Sequence, residues 1–388
     1  MSVDGLIVES NKTVVFEDYY ELTESLGRKP IQPKCSGSFV SICIDRSTKL
    51  RYAAKVMQKR VNSIGKKRTI GQLLTIDHKN LVRLKEVFET PLSLHLVVEL
   101  ACGEELFHRL TKVPVYTEKT VLHYFRQIVD GIKYLHEYEI VHRNLKPENV
   151  LLSTRDNDAI VKITDYCPQL FTTEDLDMEL VCYTTTFCAP ELLISRRYDK
   201  SIDLWALGIL LYIMLYGDSP YKSKTGSDLY RAILHNDIDF ESAQWKLITF
   251  NAQDVVKRLL ITDPKLRIIT PYLINHSWFI ELNEIEQHLD SVQANLEHFN
   301  KQRAANYFSI EDEKEDWFTS EYAKLPRRSF ESTPMKLHDD MKVEKIDDKG
   351  NKQENVELDN QHELIDDIII RNDDNHMKEL LELQNTDE

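Results

Sequence analysis

The chain has 388 residues, a formal net charge of −15 and 42% hydrophobic residues, enough to bury a sizeable core. No apolar run approaches the roughly 20 residues of a membrane-spanning helix, no basic stripe marks a nucleic-acid surface, and the first residues do not resemble a signal peptide. Six scattered cysteines without a C-x-x-C pair indicate reduced thiols. We therefore expect a cytoplasmic or nuclear protein that binds neither membranes nor nucleic acid.

The negative charge is concentrated near the C-terminal end of the sequence. From Asp339 to Glu388, 17 acidic residues stand against 6 Lys and Arg, so this stretch carries −11 and the remainder −4. Residues 311–388 are therefore predicted to form an acidic and largely disordered tail. At the other end, residues 1–17 are predicted to form a flexible lead.

Residues 18–100 show the alternating, β-branched pattern of a small β-rich lobe. Strands are predicted in "YYELTESLG", "SFVSICID", "LRYAAKVM", "LVRLKEVFE" and "LHLVVEL", and a short helix in "KKRTIGQLLTI".

Residues 101–280 show the three- and four-residue spacing of a helical lobe. The segment "TEKTVLHYFRQIVDGIKYLHEY" begins with a threonine cap, and "KSIDLWALGILLYIMLYG" is apolar nearly all round, which predicts a buried helix. A further amphipathic helix is predicted over residues 281–310. The expected fold class is α+β, with two lobes.

Several motifs, in order, resemble the protein kinase domain between Tyr19 and Phe279. They are "YAAKVM", "NLVRLKEVF", "LVVELACGEELF", "HRNLKPENVLL", "KITDY", "CYTTTFCAPELL", "SIDLWALG" and "LLITDPKLRI". The sequence resembles the calmodulin-dependent kinase group, and most of all the C-terminal kinase domain of the mitogen- and stress-activated kinases and their ribosomal-protein-kinase relatives. The resemblance implies a bilobal fold and a cleft for ATP and Mg²⁺.

The resemblance assigns most of the cleft to particular residues. It implies that Lys55 steadies the phosphates, that Asn149 and Asp165 hold Mg²⁺, and that Val98 lies at the back of the adenine pocket. The adenine would contact Val40, Ala53 and Leu151, for which ordinary core packing is an equally good interpretation, and Glu99 and Ala101 would form the hinge beside it.

The catalytic position departs from the family pattern. Asn144 stands where the family has the aspartate that accepts the substrate's proton. The resemblance also places Lys146, two residues later, in the catalytic site. An amide cannot take that proton in a useful pKa range, and general-base assistance is worth roughly 10²–10⁴-fold.

Three further positions depart from the family. Thr69 stands where the family has a helix glutamate that pairs with the phosphate lysine, so Lys55 could still pair with Asp165 but not with its usual helix partner. Cys167 replaces a glycine that supplies backbone freedom. The phosphate-covering loop "LGRKPIQPKCSGSFVSI" aligns poorly whether it starts at Gly27 or at Cys35.

Other family positions concern structure and substrate. The resemblance implies a buried ion pair, an aspartate holding the catalytic loop, an internal stack and a substrate-docking set. The ion pair is Glu191 with Arg267, and the aspartate is Asp203. The stack is His142 with Tyr166, and the docking set is Glu105, Glu148 and Thr184. Solvated surface acids are an equally good interpretation of the two docking glutamates.

Regulation also departs from the resembled kinases, because Leu180 and Val181 stand where those carry a phosphorylated Thr-Pro. The helix at 281–310 matches a segment that binds calmodulin in that group, but it has few basic residues, so packing on the helical lobe is the preferred interpretation.

Three hypotheses remain open from the sequence. The first is a catalytically impaired kinase homologue that regulates or scaffolds other kinases or signalling proteins. The second is a working serine/threonine kinase with unusual catalytic residues, and the third is a calmodulin-regulated binding protein.

Overall fold

The computed structural model describes residues 7–8, 15–26, 38–58, 67–90, 93–166, 185–194, 198–222, 224, 226–281 and 288–313. Residues 1–300 form one compact unit, and residues 301–388 form a second. Within the described ranges, no helix combines the length and apolar character needed to cross a bilayer. The predicted acidic tail lies outside the described residues except for its first three positions.

The N-terminal lobe is built on a six-stranded sheet in the order β1-β5-β6-β4-β3-β2. The five predicted strands, β2 to β6, are confirmed, and they pair antiparallel with one another. A short helix, α2, follows β4 and packs against β5. The elements of this lobe are β1 (Ile7–Val8), α1 (Phe16–Tyr19), β2 (Tyr20–Ser25), β3 (Ser38–Asp45), β4 (Arg51–Gln58), α2 (Lys67–Leu74), β5 (Leu84–Glu89) and β6 (Ser93–Val98).

The N-terminal lead differs from the flexible segment expected for residues 1–17. Strand β1 pairs parallel with β5, opposite Val87 and Phe88. Phe16 is fully buried, and its ring lies 5.5 Å from the ring of Phe88 and 4.8 Å from that of His95. Burial of a phenylalanine stabilises a fold by about 1.5–3 kcal/mol, so this part of the lead belongs to the folded lobe.

The C-terminal lobe is mainly helical, with one hairpin of two short strands. Helix α4 begins at the predicted cap, where Thr117 accepts a hydrogen bond from the amide of Thr120. Helix α6 is buried from Ser201 to Leu215, as its apolar pattern predicts. The elements are α3 (Leu106–Leu110), α4 (Glu118–Glu137), β7 (Val150–Leu152), β8 (Val161–Ile163), α5 (Pro190–Ile194), α6 (Ser201–Tyr216), α7 (Gly226–Leu234), α8 (Phe250–Leu259), α9 (Thr270–Leu273), α10 (Ser277–Glu281) and α11 (Asp290–Glu313).

The amphipathic helix predicted over residues 281–310 is α11, which begins at Asp290. Its part within the first unit packs on the helical lobe, as the preferred interpretation expects. Val292 and Leu296 are buried there. The Gln293 side-chain amide donates to the main-chain oxygens of Leu110 and Val113, at 3.0 and 2.9 Å.

A buried carboxylate joins three parts of the helical lobe. Glu118, at the start of α4, is 2% exposed. Its Oε1 accepts the Thr249 main-chain N–H at 2.6 Å, and its Oε2 accepts the Thr249 hydroxyl at 2.8 Å and the Trp278 indole at 3.2 Å. These donors compensate the charge for its loss of water, so Glu118 fixes α4 against α8 and α10.

We expect Glu118→Ala to lower the free energy of unfolding by about 3 kcal/mol, because it leaves the donors of Thr249 and Trp278 buried without an acceptor. Denaturant unfolding measures this. Glu137→Ala is the matched control: Glu137 is exposed and pairs with Lys133 on the helix surface, so its loss should cost at most about 0.5 kcal/mol. Equal effects for the two variants would contradict the assignment.

Candidate active site

The backbone of the catalytic loop is held by Asp203, in the first turn of α6. Its Oδ2 accepts the His142 amide and the His136 imidazole, both at 2.8 Å, and its Oδ1 accepts the Arg143 amide at 2.9 Å. Arg143 has φ 65°, a left-handed conformation that non-glycine residues disfavour. The bonds from Asp203 therefore hold the loop in a turn that it would not adopt alone.

The charge of Asp203 depends on these donors. Burial would raise the pKa of its carboxyl, but the hydrogen bond and charge of His136 and the contribution of His142 outweigh burial and lower the pKa. Burial lowers the pKa of His142, which keeps that ring neutral. Its Nε2 lies 3.1 Å from the main-chain oxygen of Thr164, and its ring lies 6.5 Å from that of Tyr166.

Asp165 is the centre of the site. Its Oδ1 forms an ion pair with the Lys55 ammonium, a pairing that the sequence had left open. Its Oδ2 accepts the side-chain amide of Asn144 at 2.8 Å. The Asn149 side-chain amide in turn donates to the main-chain oxygen of Asn144 at 2.6 Å. The structure thus brings the predicted phosphate, catalytic and metal residues into one connected network.

The cation Lys146 also acts on this centre. Burial would raise the pKa of Asp165, but the charge and hydrogen bond of Lys55, with smaller contributions from His142 and Lys146, lower it. The Asp165 carboxylate is therefore ionised, and the Lys55 ammonium balances its negative charge.

The predicted strands of the N-terminal lobe carry Val40, Ala53 and Val98, whereas Leu151 lies on β7, which the sequence did not predict. Val40 faces Lys55 across β3 and β4, and Ala53 faces Val98 across β4 and β6. Leu151 is half-buried on β7. Ala101 follows the sheet at the crossing between the lobes.

The Glu99 side chain is anchored by a residue that the sequence analysis missed. Lys162, on β8, is buried and reaches the Glu99 carboxylate at 2.7 Å. The other Glu99 oxygen accepts the Arg83 amide at 3.2 Å. A lysine inside the apolar strand "VKI" was the available signal, because a buried lysine requires an anionic partner.

The predicted ion pair of the helical lobe is present. Both terminal nitrogens of Arg267 donate to Glu191, at 2.7 and 3.0 Å. Ser201, which the sequence analysis did not select, donates its hydroxyl to Glu191 at 3.0 Å, and its main-chain oxygen accepts Arg267 at 2.8 Å. The Arg267 guanidinium lies 5.1 Å from the ring centre of Trp205. The bidentate pair ties α5 to the loop before α9, and the bonds of Ser201 join both to α6.

The docking residues are placed less completely. Glu105 precedes α3 and forms an isolated antiparallel β-bridge with Leu151. Glu148 lies in the short 3₁₀ turn Pro147–Asn149. The carboxylate of the neighbouring Glu104 pairs with the Arg109 guanidinium at 3.0 Å.

Several predicted positions lie outside the described residues. They are Thr184, Cys167, the Leu180–Val181 pair, the loop from Gly27 through Cys35, and the side chain of Thr69. Within the described helix α2, no Asp or Glu occurs.

The donor set does not fit Mg²⁺ as arranged. Mg²⁺ takes oxygen ligands in near-octahedral geometry, usually from carboxylates and phosphates. Each oxygen of Asp165 already has a donor from the protein, Lys55 on one and Asn144 on the other. Across the described ranges, no group of three His, Cys, Asp or Glu is arranged to hold a metal. Lys55, by contrast, fits a phosphate.

We expect Asp203→Asn to lower the free energy of unfolding by about 2–3 kcal/mol near neutral pH, because it removes a charge that accepts three hydrogen bonds. The native pKa of Asp203 lies below its unfolded value of about 3.9, so its charge stabilises the fold above that pH. The difference between parent and variant should shrink as the pH falls below about 4. Denaturant unfolding across pH measures this, with the exposed Asp77→Asn as control. A difference independent of pH would contradict the role of the charge.

Known proteins are similar to this chain in sequence. Residues 34–279 match the family described as the protein kinase domain. The chain is 36% identical over 297 residues to calcium/calmodulin-dependent protein kinase type IV of Rattus norvegicus, covering 76% of this chain and 61% of that protein. It is 34% identical over 283 residues to myosin light chain kinase A of Dictyostelium discoideum, covering 71% and 93%.

A plant relative extends the same likeness. Calcium-dependent protein kinase 9 of Arabidopsis thaliana is 36% identical over 280 residues, covering 69% of this chain and 50% of that protein. The chain thus spans less than two thirds of the length of some relatives, including the calmodulin-dependent kinase. With the matched region and the bilobal fold, these likenesses show that the chain belongs to the protein kinase family, with homologues of the calmodulin-dependent kinase type.

Proposed function

We propose that this chain is a catalytically impaired kinase homologue that regulates or scaffolds other kinases or signalling proteins. One observation carries the proposal: the Asn144 side chain stands at the catalytic-base position and donates its amide to Asp165 at 2.8 Å. A base must accept the proton of the substrate hydroxyl, and an amide already used as a donor does not supply that function.

The electrostatics of phosphoryl transfer point the same way. Transfer from ATP relies on positioning and on neutralisation of charge by the phosphate lysine and magnesium, and a helix glutamate pairs with that lysine to hold it in place. Residues 59–76 contain no Asp or Glu, so α2 has no carboxylate to offer Lys55. Lys55 is instead paired with Asp165. Loss of both the base and the helix acid removes two separate contributions to the rate.

The structural framework, by contrast, is complete. The Glu191–Arg267 pair and the bonds from Asp203 hold the helical lobe and the catalytic loop in a defined shape. A rigid lobe suits a protein that acts by binding another, since preformed surfaces lose less entropy on association. Partners of this kind, a cytoplasmic or nuclear location, and a specific kinship with the mitogen- and stress-activated kinases are parts of the same proposal.

A working kinase is the second candidate, favoured by the retained Lys55, Asn149 and Asp165. These residues lie together in the cleft, and a protein that never meets a nucleotide would not need them there. The two candidates differ in one measurable activity, the transfer of phosphate from ATP to a peptide.

We expect the purified chain to transfer phosphate from ATP to a basic peptide at least about 10²-fold more slowly than an active relative, because it lacks a general base. Radiolabel transfer measures the rate. Lys55→Met should leave any residual signal unchanged, as should the exposed control Lys79→Met. Transfer that is lost in Lys55→Met and retained in Lys79→Met would establish the working kinase instead.

Calmodulin binding is the third candidate, suggested by relatives whose name includes calmodulin. The buried Val292 and Leu296 argue against it, because capture of an apolar helix face requires that face to leave the lobe. We expect no calcium-dependent retention of the full chain on immobilised calmodulin. Retention that is lost on chelation of calcium would restore this candidate.

A further inference from the structure

The carboxylate that binds metal in the family is held on both sides by this chain. Lys55, from β4 in the N-terminal lobe, pairs with Oδ1 of Asp165. Asn144, from the catalytic loop, donates to Oδ2 at 2.8 Å. The carboxylate therefore has one donor on each oxygen before any ligand enters.

The backbone around Asp165 is fixed as well. Asp165 has φ 66°, a left-handed conformation that needs support in a residue other than glycine. The amide of Thr164 donates to the main-chain oxygen of Asn149 at 2.9 Å. On the other side, the Tyr166 hydroxyl donates to the Val82 main-chain oxygen at 2.7 Å. The direction of the carboxylate is thus set by protein contacts and needs no cation.

The residue at position 144 decides the charge balance. An aspartate there would place a second carboxylate beside Asp165, and two adjacent carboxylates require a cation or a proton between them. Asn144 removes that charge and replaces the repulsion with a hydrogen bond. Lys55 and Lys146 both act on Asp165, and α2 provides no acid to offset them. Lys55, Lys146 and Asp165 together carry two positive charges and one negative charge.

We propose that the cleft binds the polyphosphate of a nucleoside triphosphate without a divalent cation, with Asn144 as the positioning residue that replaces the metal's hold on Asp165. The inference rests on the proposed loss of catalysis, because metal-free binding suits a protein that uses nucleotide as a structural ligand. Lysine ammonium groups attract phosphate directly. A divalent cation would meet a carboxylate already neutralised by Lys55, so Mg²⁺ should add little to the affinity.

The test is the dissociation constant of ATP, measured by titration calorimetry with the full chain, once with EDTA and once with Mg²⁺. For the parent we expect the two values to agree within about threefold, below the usual range of coupling between two ligands. Asn144→Asp should bind ATP about tenfold or more weakly in EDTA and regain affinity with Mg²⁺, because the second carboxylate then requires a cation.

Two variants separate charge from shape. Asn144→Ala removes the amide without adding charge, so it should gain less dependence on Mg²⁺ than Asn144→Asp does. Asn275→Asp makes the same chemical change at an exposed position after α9 and should behave as the parent.

The parent measurement decides the inference even if a variant at position 144 fails to fold. Binding of ATP by the parent only when Mg²⁺ is present, or no binding in either condition, would overturn it. Metal-dependent binding without phosphate transfer would overturn this inference and leave the proposed function standing, whereas phosphate transfer would overturn the proposed function itself.

Discussion

The ion pair between Lys55 and Asp165 joins the N-terminal sheet to the helical lobe, and the arrangement of the cleft depends on it. Lys55 projects from β4, whose neighbours β3 and β6 bring Val40 and Val98 to the same end of the sheet. Asp165 follows β8 and is bonded in turn to the catalytic loop through Asn144. A charged pair shielded from water on both partners is stable only while both remain, so the two lobes share one electrostatic centre.

The replacement of a carboxylate by an amide at position 144 changes what that centre is for. In an active kinase, the catalytic-loop aspartate accepts the proton of the substrate hydroxyl, and a second aspartate holds Mg²⁺. Here Asn144 and Asp165 attract each other instead. The amide at position 144 therefore offers no carboxylate as a base, and it adds a hydrogen bond to Asp165 within the cleft.

The regular elements were largely predictable because their patterns are local. The period-2 strands of the N-terminal lobe, the Thr117 cap and the apolar helix α6 each appear within a window of about 20 residues or fewer. Strand β1 was missed because a strand of two residues is too short to show an alternating hydrophobic pattern. Glu118 and Lys162 were missed because a buried charge is identified by its partners, and Glu118 finds Thr249 and Trp278 far along the chain.

The sequence by itself determined the family motifs, the identity of Asn144 and the absence of an acid in residues 59–76. These are statements about which side chains exist, and the order of motifs is sufficient for them. Only the tertiary structure decided where the Asn144 amide is directed. Its acceptor, Asp165, lies 21 residues later in the chain, just after β8. The tertiary structure also decided that Lys55 turns to Asp165, because that choice is made by the relative positions of two lobes and not by the neighbours of either residue in the chain.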